Sequence, residues 1–172
     1  MVKLLVKLLV VGHGRHGKDT VCEILSQHYH LTFQSSSMFC AQQFIYDRMN
    51  ADLGYNYSTF EECYADRHNK REIWYNMIRD YNKPDPTRLG REIFESYDIY
   101  CGLRNKAEFH ALKNSSSYDY AIWVDRSDHL PPEDKNSNTI EPWMCDFVLD
   151  NNGSLDDLKF NVELLMHRIP VS

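Results

Sequence analysis

One stretch of the chain concentrates residues able to hold a phosphate: Gly12-His13-Gly14-Arg15-His16-Gly17-Lys18-Asp19-Thr20. An apolar run over residues 4 to 11, broken only by Lys7, precedes it. Val21-Cys22-Glu23-Ile24-Leu25 follows with helical spacing. Strand, glycine-rich turn and helix, in that order, is the context in which a GxxxxGK string cradles phosphate. Gly12, Gly14 and Gly17 free the backbone, so that N–H groups from Arg15 and His16 onward converge on phosphate oxygens. The helix N-terminus adds the positive end of its dipole, and Lys18 brings a full charge to the β- and γ-phosphates. ATP and Mg²⁺ are the cofactors this chemistry calls for. The residue after the lysine is usually Ser or Thr; here it is Asp19, followed by Thr20. Mg²⁺ favours carboxylate and water oxygens, which makes Asp19 and Thr20 the metal corner, with the Thr20 hydroxyl also in reach of a phosphate. The plain alternative is a glycine turn with a surface lysine.

Further candidates sit downstream. Ser35 and Ser37 fall where a second strand meets a helix N-terminus, an edge at which open α/β sheets bind ligands; a cap without a ligand is the competing reading. Arg88 and Arg91 flank the rigid Pro-bearing entry that leads into Glu92-Ile93-Phe94, and Arg104 follows a third strand. A guanidinium fork suits an acceptor phosphate. A hydroxyl acceptor would instead use a carboxylate, for which Asp47, Asp125 and Asp128 are the candidates. Arg126, beside Asp125, is placed to neutralise a transferring phosphoryl group.

The elements that must position these residues read as follows. Strands are expected over 4 to 11, from about 28 to 33, over 97 to 103, 118 to 124 and 145 to 150. Helices are expected over 18 to 29, 38 to 49, 106 to 113 and 155 to 169, with one long polar helix from about 60 to 81. Thr59 and Ser154 are N-cap candidates, each followed by an acidic first turn. Alternating strands and helices predict an α/β protein in three layers, a five-stranded parallel sheet with helices on both faces. The whole chain, 1 to 172, reads as one domain with a helical insert over about 38 to 95 and a short lid-like loop over about 126 to 143.

Composition narrows the classes. A chain of 172 residues with 42% hydrophobic content fills one core. The longest apolar stretch carries Lys3 and Lys7 and is too short to span a bilayer. It runs straight into the phosphate loop with no small-residue cleavage site, so it is expected to be a strand rather than a leader, with no membrane partner. Five cysteines without CxxC spacing argue for reduced thiols in the cytoplasm and against a zinc site. A net charge of −6 disfavours gripping duplex nucleic acid.

Four blocks together carry a family resemblance. They are the GKDT form of the loop; Leu89-Gly90-Arg91-Glu92; Gly102-Leu103-Arg104-Asn105 with Glu108; and Asp150-Asn151-Asn152-Gly153-Ser154-Leu155. The layout resembles the deoxynucleoside monophosphate kinases encoded by bacteriophages and, more distantly, dephospho-coenzyme A kinases. The resemblance implies a P-loop kinase fold and transfer of the γ-phosphate of ATP to a deoxynucleotide, in a host cytoplasm. It implies that Asn151 and Asn152 pass beside the adenine. Two departures stand out. The family often has an Asp at the tip of the third strand, where this chain has Cys101-Gly102, and Asp125 is the substitute. The family's lid usually offers arginines, and residues 127 to 142 contain none, which shifts weight onto Arg126.

Three functions therefore compete. The first is a kinase of free deoxynucleoside monophosphates. The second is a P-loop kinase that phosphorylates the hydroxyl of a modified base such as 5-hydroxymethyluracil, free or within DNA, for phage DNA hypermodification. The third is a non-catalytic nucleotide-binding protein. Tyr55, Tyr57, Tyr64, Trp74 and Tyr75 cluster in the insert, either to stack on a base or to pack the insert's own core.

Overall fold

A computed structural model describes residues 5–170; the start of the expected first strand, at residue 4, lies outside them. Five strands, β1 (Leu8–Val11), β2 (Phe33–Ser35), β3 (Ile99–Cys101), β4 (Tyr120–Asp125) and β5 (Phe147–Asp150), form one sheet in the order β2-β3-β1-β4-β5. Every pairing is parallel. All four residues of β1 are buried, as a central parallel strand requires. Its side chains alternate between faces. Leu9 and Val11 join one core cluster with Tyr100, Ala121 and Trp123. Leu8 and Val10 join the other with Ile99, Cys101, Ile122 and Val124.

Helices α1 (Lys18–Tyr29) and α8 (Leu155–Arg168) cover the second face through Val21, Leu25, Leu158 and Val162. The first face is covered by α2 (Ser36–Cys40), α3 (Tyr46–Ala51), α4 (Phe60–Ala65), α5 (Arg71–Asn82), α6 (Arg88–Ser96) and α7 (Lys106–Asn114). This is the three-layer α/β arrangement expected from the alternation of elements.

Several boundaries differ from expectation: β1, β3 and β5 are shorter than the strands expected over 4 to 11, 97 to 103 and 145 to 150, and three other differences are local. His30 takes a left-handed conformation that ends α1, so the second strand begins at Phe33 rather than near residue 28. The helix expected over 60 to 81 is interrupted by a 3₁₀ turn at Asp66–Asn69. There Asp66 accepts hydrogen bonds from Tyr57 and Asn69, a local competition with the helical backbone. Between α2 and α3 the helix widens into a π turn over Ala41–Ile45.

Asp98 ties β2 to β3. Its carboxylate accepts from the Thr32 N–H at 2.9 Å and hydroxyl at 3.1 Å, and pairs with Lys7 at 3.5 Å. Gly90 on α6 allows a close approach to α7: a Cβ there would lie 2.6 Å from both Leu112 methyl groups. Leu112 is fully buried, so its methyl groups could give way only by repacking against their core neighbours. Gly90→Ala is expected to destabilise the fold by roughly 1–3 kcal/mol, seen as a melting temperature roughly 2–12 °C lower. An unchanged melting temperature would show that α6 and α7 part freely.

Candidate active site

The C-terminal ends of all five strands open on one edge of the sheet, and β1 lies where the chain switches from one side of the sheet to the other. Ligands of open α/β sheets bind at such a point. The loop after β1 is shaped by close packing. A Cβ on Gly12 would come 2.7 Å from the Val124 carbonyl oxygen, and one on Gly17 would overlap the Asn151 side-chain amide. Gly17, with φ 97°, is the N-cap of α1 and offers no side-chain cap. The first-turn N–H groups of α1 are therefore left for an external anion. Arg15, Gly17, Lys18, Asp19 and Thr20 line a cleft of about 260 Å³ there.

Lys18 folds over the loop, donating to the carbonyls of Gly12 (3.1 Å) and His13 (2.8 Å). Burial, with Arg104 nearby, pushes its pKa down from the ordinary lysine value. His16 is fully buried. Its Nδ1 accepts from the Arg126 N–H at 3.0 Å, which places the ring proton on Nε2, facing the Pro131 carbonyl at 3.3 Å. His13 stands edge-on to Trp123 at 5.1 Å and its Nδ1 accepts from the Glu133 N–H. Burial lowers its pKa.

Asp19 accepts from the Cys101 thiol at 3.6 Å. Among the described residues no group of three or more His, Cys, Asp or Glu could hold a metal. The donor set at Asp19 and Thr20, one carboxylate and one hydroxyl beside a phosphate cradle, fits a Mg²⁺ that keeps water and phosphate oxygens as its other ligands.

Asp125 ends β4. It accepts from the Ser127 N–H at 3.2 Å and the Asn152 amide at 3.3 Å. Burial pushes its carboxyl up, but these bonds outweigh it and leave the pKa below the ordinary value. Arg126 donates to the Asn151 carbonyl at 2.6 Å. Asn151 itself is buried and donates its amide to the His16 carbonyl at 2.9 Å, so it shapes the loop. Asn152 braces the start of the 126–143 loop, accepting from the Asp128 N–H at 3.0 Å.

On the other side of the edge, Ser35 caps α2 by accepting from the Met38 N–H at 3.2 Å. Its hydroxyl lies 3.3 Å from that of Ser37, which lies 3.4 Å from the Tyr64 hydroxyl. The Arg67 guanidinium sits 3.8 Å over the Tyr64 ring. Trp74 meets Tyr64 edge-on, and its buried Nε1 has no hydrogen-bond partner. Tyr100 donates to Glu108 at 2.9 Å. Arg88 and Arg91 lie on the exposed side of α6, paired with Glu92 at 3.0 Å and Asp85 at 2.8 Å. Asp47 is exposed on α3. Arg104 turns to the cradle and pairs with Glu133 at 3.3 Å.

The structure thus brings Gly12 to Thr20, Arg104, Asp125, Arg126, Asn151 and Asn152 together around the loop after β1. Ser35 and Ser37 gather with Tyr64 in a separate hydroxyl cluster. Arg88, Arg91 and Asp47 join neither group. Glu133 faces the cradle without any local sequence signal, because it acts through a contact across 119 residues rather than a motif; Glu108, marked in the sequence by the block at 102–108, meets Tyr100.

No sequence-family profile matches this chain, and no curated protein matches it by sequence. Solved structures do. The shikimate kinase of Aquifex aeolicus superposes with a TM-score of 0.55 at 11% identity, covering 94% of this chain and 96% of that one. The shikimate kinase of Acinetobacter baumannii, solved with shikimate, gives 0.54 at 12%, covering 96% and 95%. That of Bacteroides thetaiotaomicron gives 0.52 at 10%, covering 95% and 97%. At these identities what is shared is the fold, over nearly the whole length.

One group on the hydroxyl side makes a measurable prediction. Burial raises the Glu108 carboxyl from 4.5 to about 7, against the opposing Tyr100 hydrogen bond. Between those values the folded protein keeps a proton that the unfolded chain has lost. Glu108 therefore contributes stability at low pH that disappears as pH rises through the window. Glu108→Gln is expected to remove this dependence. Relative to the parent protein, its melting temperature should gain steadily from pH 4.5 to about 7 and level off above. A constant difference across that range would place the Glu108 carboxylate in water.

Proposed function

We propose that this protein is an ATP-dependent phosphotransferase acting on a small-molecule acceptor held between the loop after β1 and the helical segment 38–95. The observation that carries this reading is the uncapped start of α1 at Gly17, with Lys18 folded over the same loop. Bound ATP and Mg²⁺ would supply the phosphoryl group and the metal charge that spreads over its oxygens. The chain's own part is positioning and charge neutralisation, the main needs of phosphoryl transfer. Backbone N–H groups from Gly14 to Thr20 orient the phosphates. Lys18 exchanges its two carbonyl partners for phosphate oxygens. Asp19 and Thr20 would hold the metal, and Asp125 and Arg126 fix the far wall of the cradle.

We take the acceptor to be a deoxynucleotide, the class to which the motif resemblance points. A second reading, a hydroxyl acceptor such as a hydroxymethylated base, is favoured by the pairing of Arg88 and Arg91 with carboxylates and by the Ser35–Ser37–Tyr64 hydroxyl cluster. The fold shared with shikimate kinases, one of them solved with shikimate, is compatible with either.

The test is to incubate the protein with γ-labelled ATP and Mg²⁺ and offer each deoxynucleoside monophosphate, each nucleoside and DNA containing 5-hydroxymethyluracil. Label on a free monophosphate is the expected outcome. Label only on a nucleoside or on DNA would replace it with the hydroxyl reading. Nucleotide binding without transfer to any acceptor would leave a nucleotide-binding protein and end the phosphotransferase proposal. Lys18→Ala is expected to lower turnover by about 10³-fold or more while leaving the circular dichroism spectrum unchanged.

A further inference from the structure

A carboxylate already occupies part of the cradle. Glu133 Oε1 accepts from the Gly14 N–H at 2.7 Å and lies 3.3 Å from Arg104 Nε. The contact spans 119 residues, so no local turn produces it. The loop that carries Glu133 is pinned from both sides. The Glu133 N–H donates to His13 Nδ1 at 3.1 Å, and His16 Nε2 meets the Pro131 carbonyl. Farther along, the Asn138 amide donates to the Gly12 carbonyl at 3.2 Å, the Thr139 N–H donates to the Arg104 carbonyl at 2.9 Å, and the Thr139 hydroxyl accepts from the Lys106 N–H at 2.8 Å. Burial pushes the Glu133 carboxyl up, yet Arg104, the Gly14 N–H and Lys18 outweigh it and hold the pKa below the ordinary glutamate value.

A backbone N–H, a guanidinium and a nearby ammonium converging on one oxygen pair make a site for an anion of phosphate type. Residues 127 to 142 contain no arginine, so the guanidinium at this carboxylate comes from Arg104, outside that loop. Building on the phosphotransferase reading, we propose that Glu133 holds the place of the terminal phosphoryl group of the donor nucleotide, and that Arg104 is the guanidinium that meets that group once Glu133 withdraws. Arg104 thereby serves the donor rather than an acceptor phosphate. A nucleoside triphosphate must displace the carboxylate; a diphosphate, lacking the terminal group, need not.

The consequence is a difference between two nucleotides, measurable without any acceptor. Titration calorimetry would compare ADP with an ATP analogue bearing a non-hydrolysable β–γ bridge, both with Mg²⁺. Glu133→Gln is expected to tighten the triphosphate by about tenfold and change ADP less than twofold. Glu133→Ala serves as a second variant, should the glutamine retain the Gly14 bond. In the Glu133→Gln background, where Arg104 has no carboxylate to leave, Arg104→Ala is expected to weaken the triphosphate by about tenfold, again sparing ADP. Equal changes in both nucleotides, or none in either, would overturn the proposal while leaving the nucleotide cradle intact. Failure of the unaltered protein to bind either nucleotide would overturn the phosphotransferase reading and this proposal together.

Discussion

The site depends on a helix that begins without a cap. Gly17 gives α1 no side-chain acceptor for its first N–H groups, and such groups are costly to leave unsatisfied unless water or an anion meets them. The surrounding residues keep this start open. Asn151 packs the donor end of its amide against Gly17 and gives it to the His16 carbonyl, so that end offers the helix start no acceptor. His16 is locked by its two ring nitrogens to Arg126 and Pro131 in the loop after β4. Gly12 lets the backbone pass against β4, where any side chain would strike the Val124 carbonyl. The positive end of α1 is thereby aimed at one small volume, and the charged groups around it include Arg15, Lys18, Asp19, Arg104 and Glu133.

Much of this was legible in the sequence, because it is local. The order of strand, loop and helix, the capping residues Thr59 and Ser154, and the alternation of elements rest on spacings within a dozen residues, and the structure follows them. The errors have the same origin. His30 stops α1 by taking a left-handed turn, and Asp66 breaks the expected long helix by gathering hydrogen bonds from Tyr57 and Asn69. Both are choices between competing local bonds that composition does not rank. The cradle loop was readable from its glycines alone. The partners that hold it, Asn138, Glu133 and Asn151, come from more than a hundred residues away, and no periodicity marks them.

The acceptor side shows the complementary limit. Arginines on a polar helix carry no mark of whether they face a ligand or a neighbouring carboxylate. In the structure Arg88 reaches Glu92 one turn along α6 and lies 3.9 Å over the Tyr81 ring, and Arg91 turns back to Asp85. These spacings, four residues forward and six back, were visible, but ordinary surface pairing of this kind is weak and gives sequence reading no reason to choose it. The hydroxyls of Ser35, Ser37 and Tyr64 meet only because the insert folds α4 back over the start of α2.

The bond between His16 and Asn151 also bears on the order in which the protein is made. Its partners are 135 residues apart, and a contact of that span closes a long loop and forms late. A chain emerging from the ribosome carries its phosphate loop from the start, yet the loop lacks its brace until the fifth strand has joined the sheet. A nascent or truncated chain ending before residue 151 has the glycines and Lys18 but not the shape. The shape of the cradle is then a report on completed folding, and it comes into being only with the last strand of the sheet.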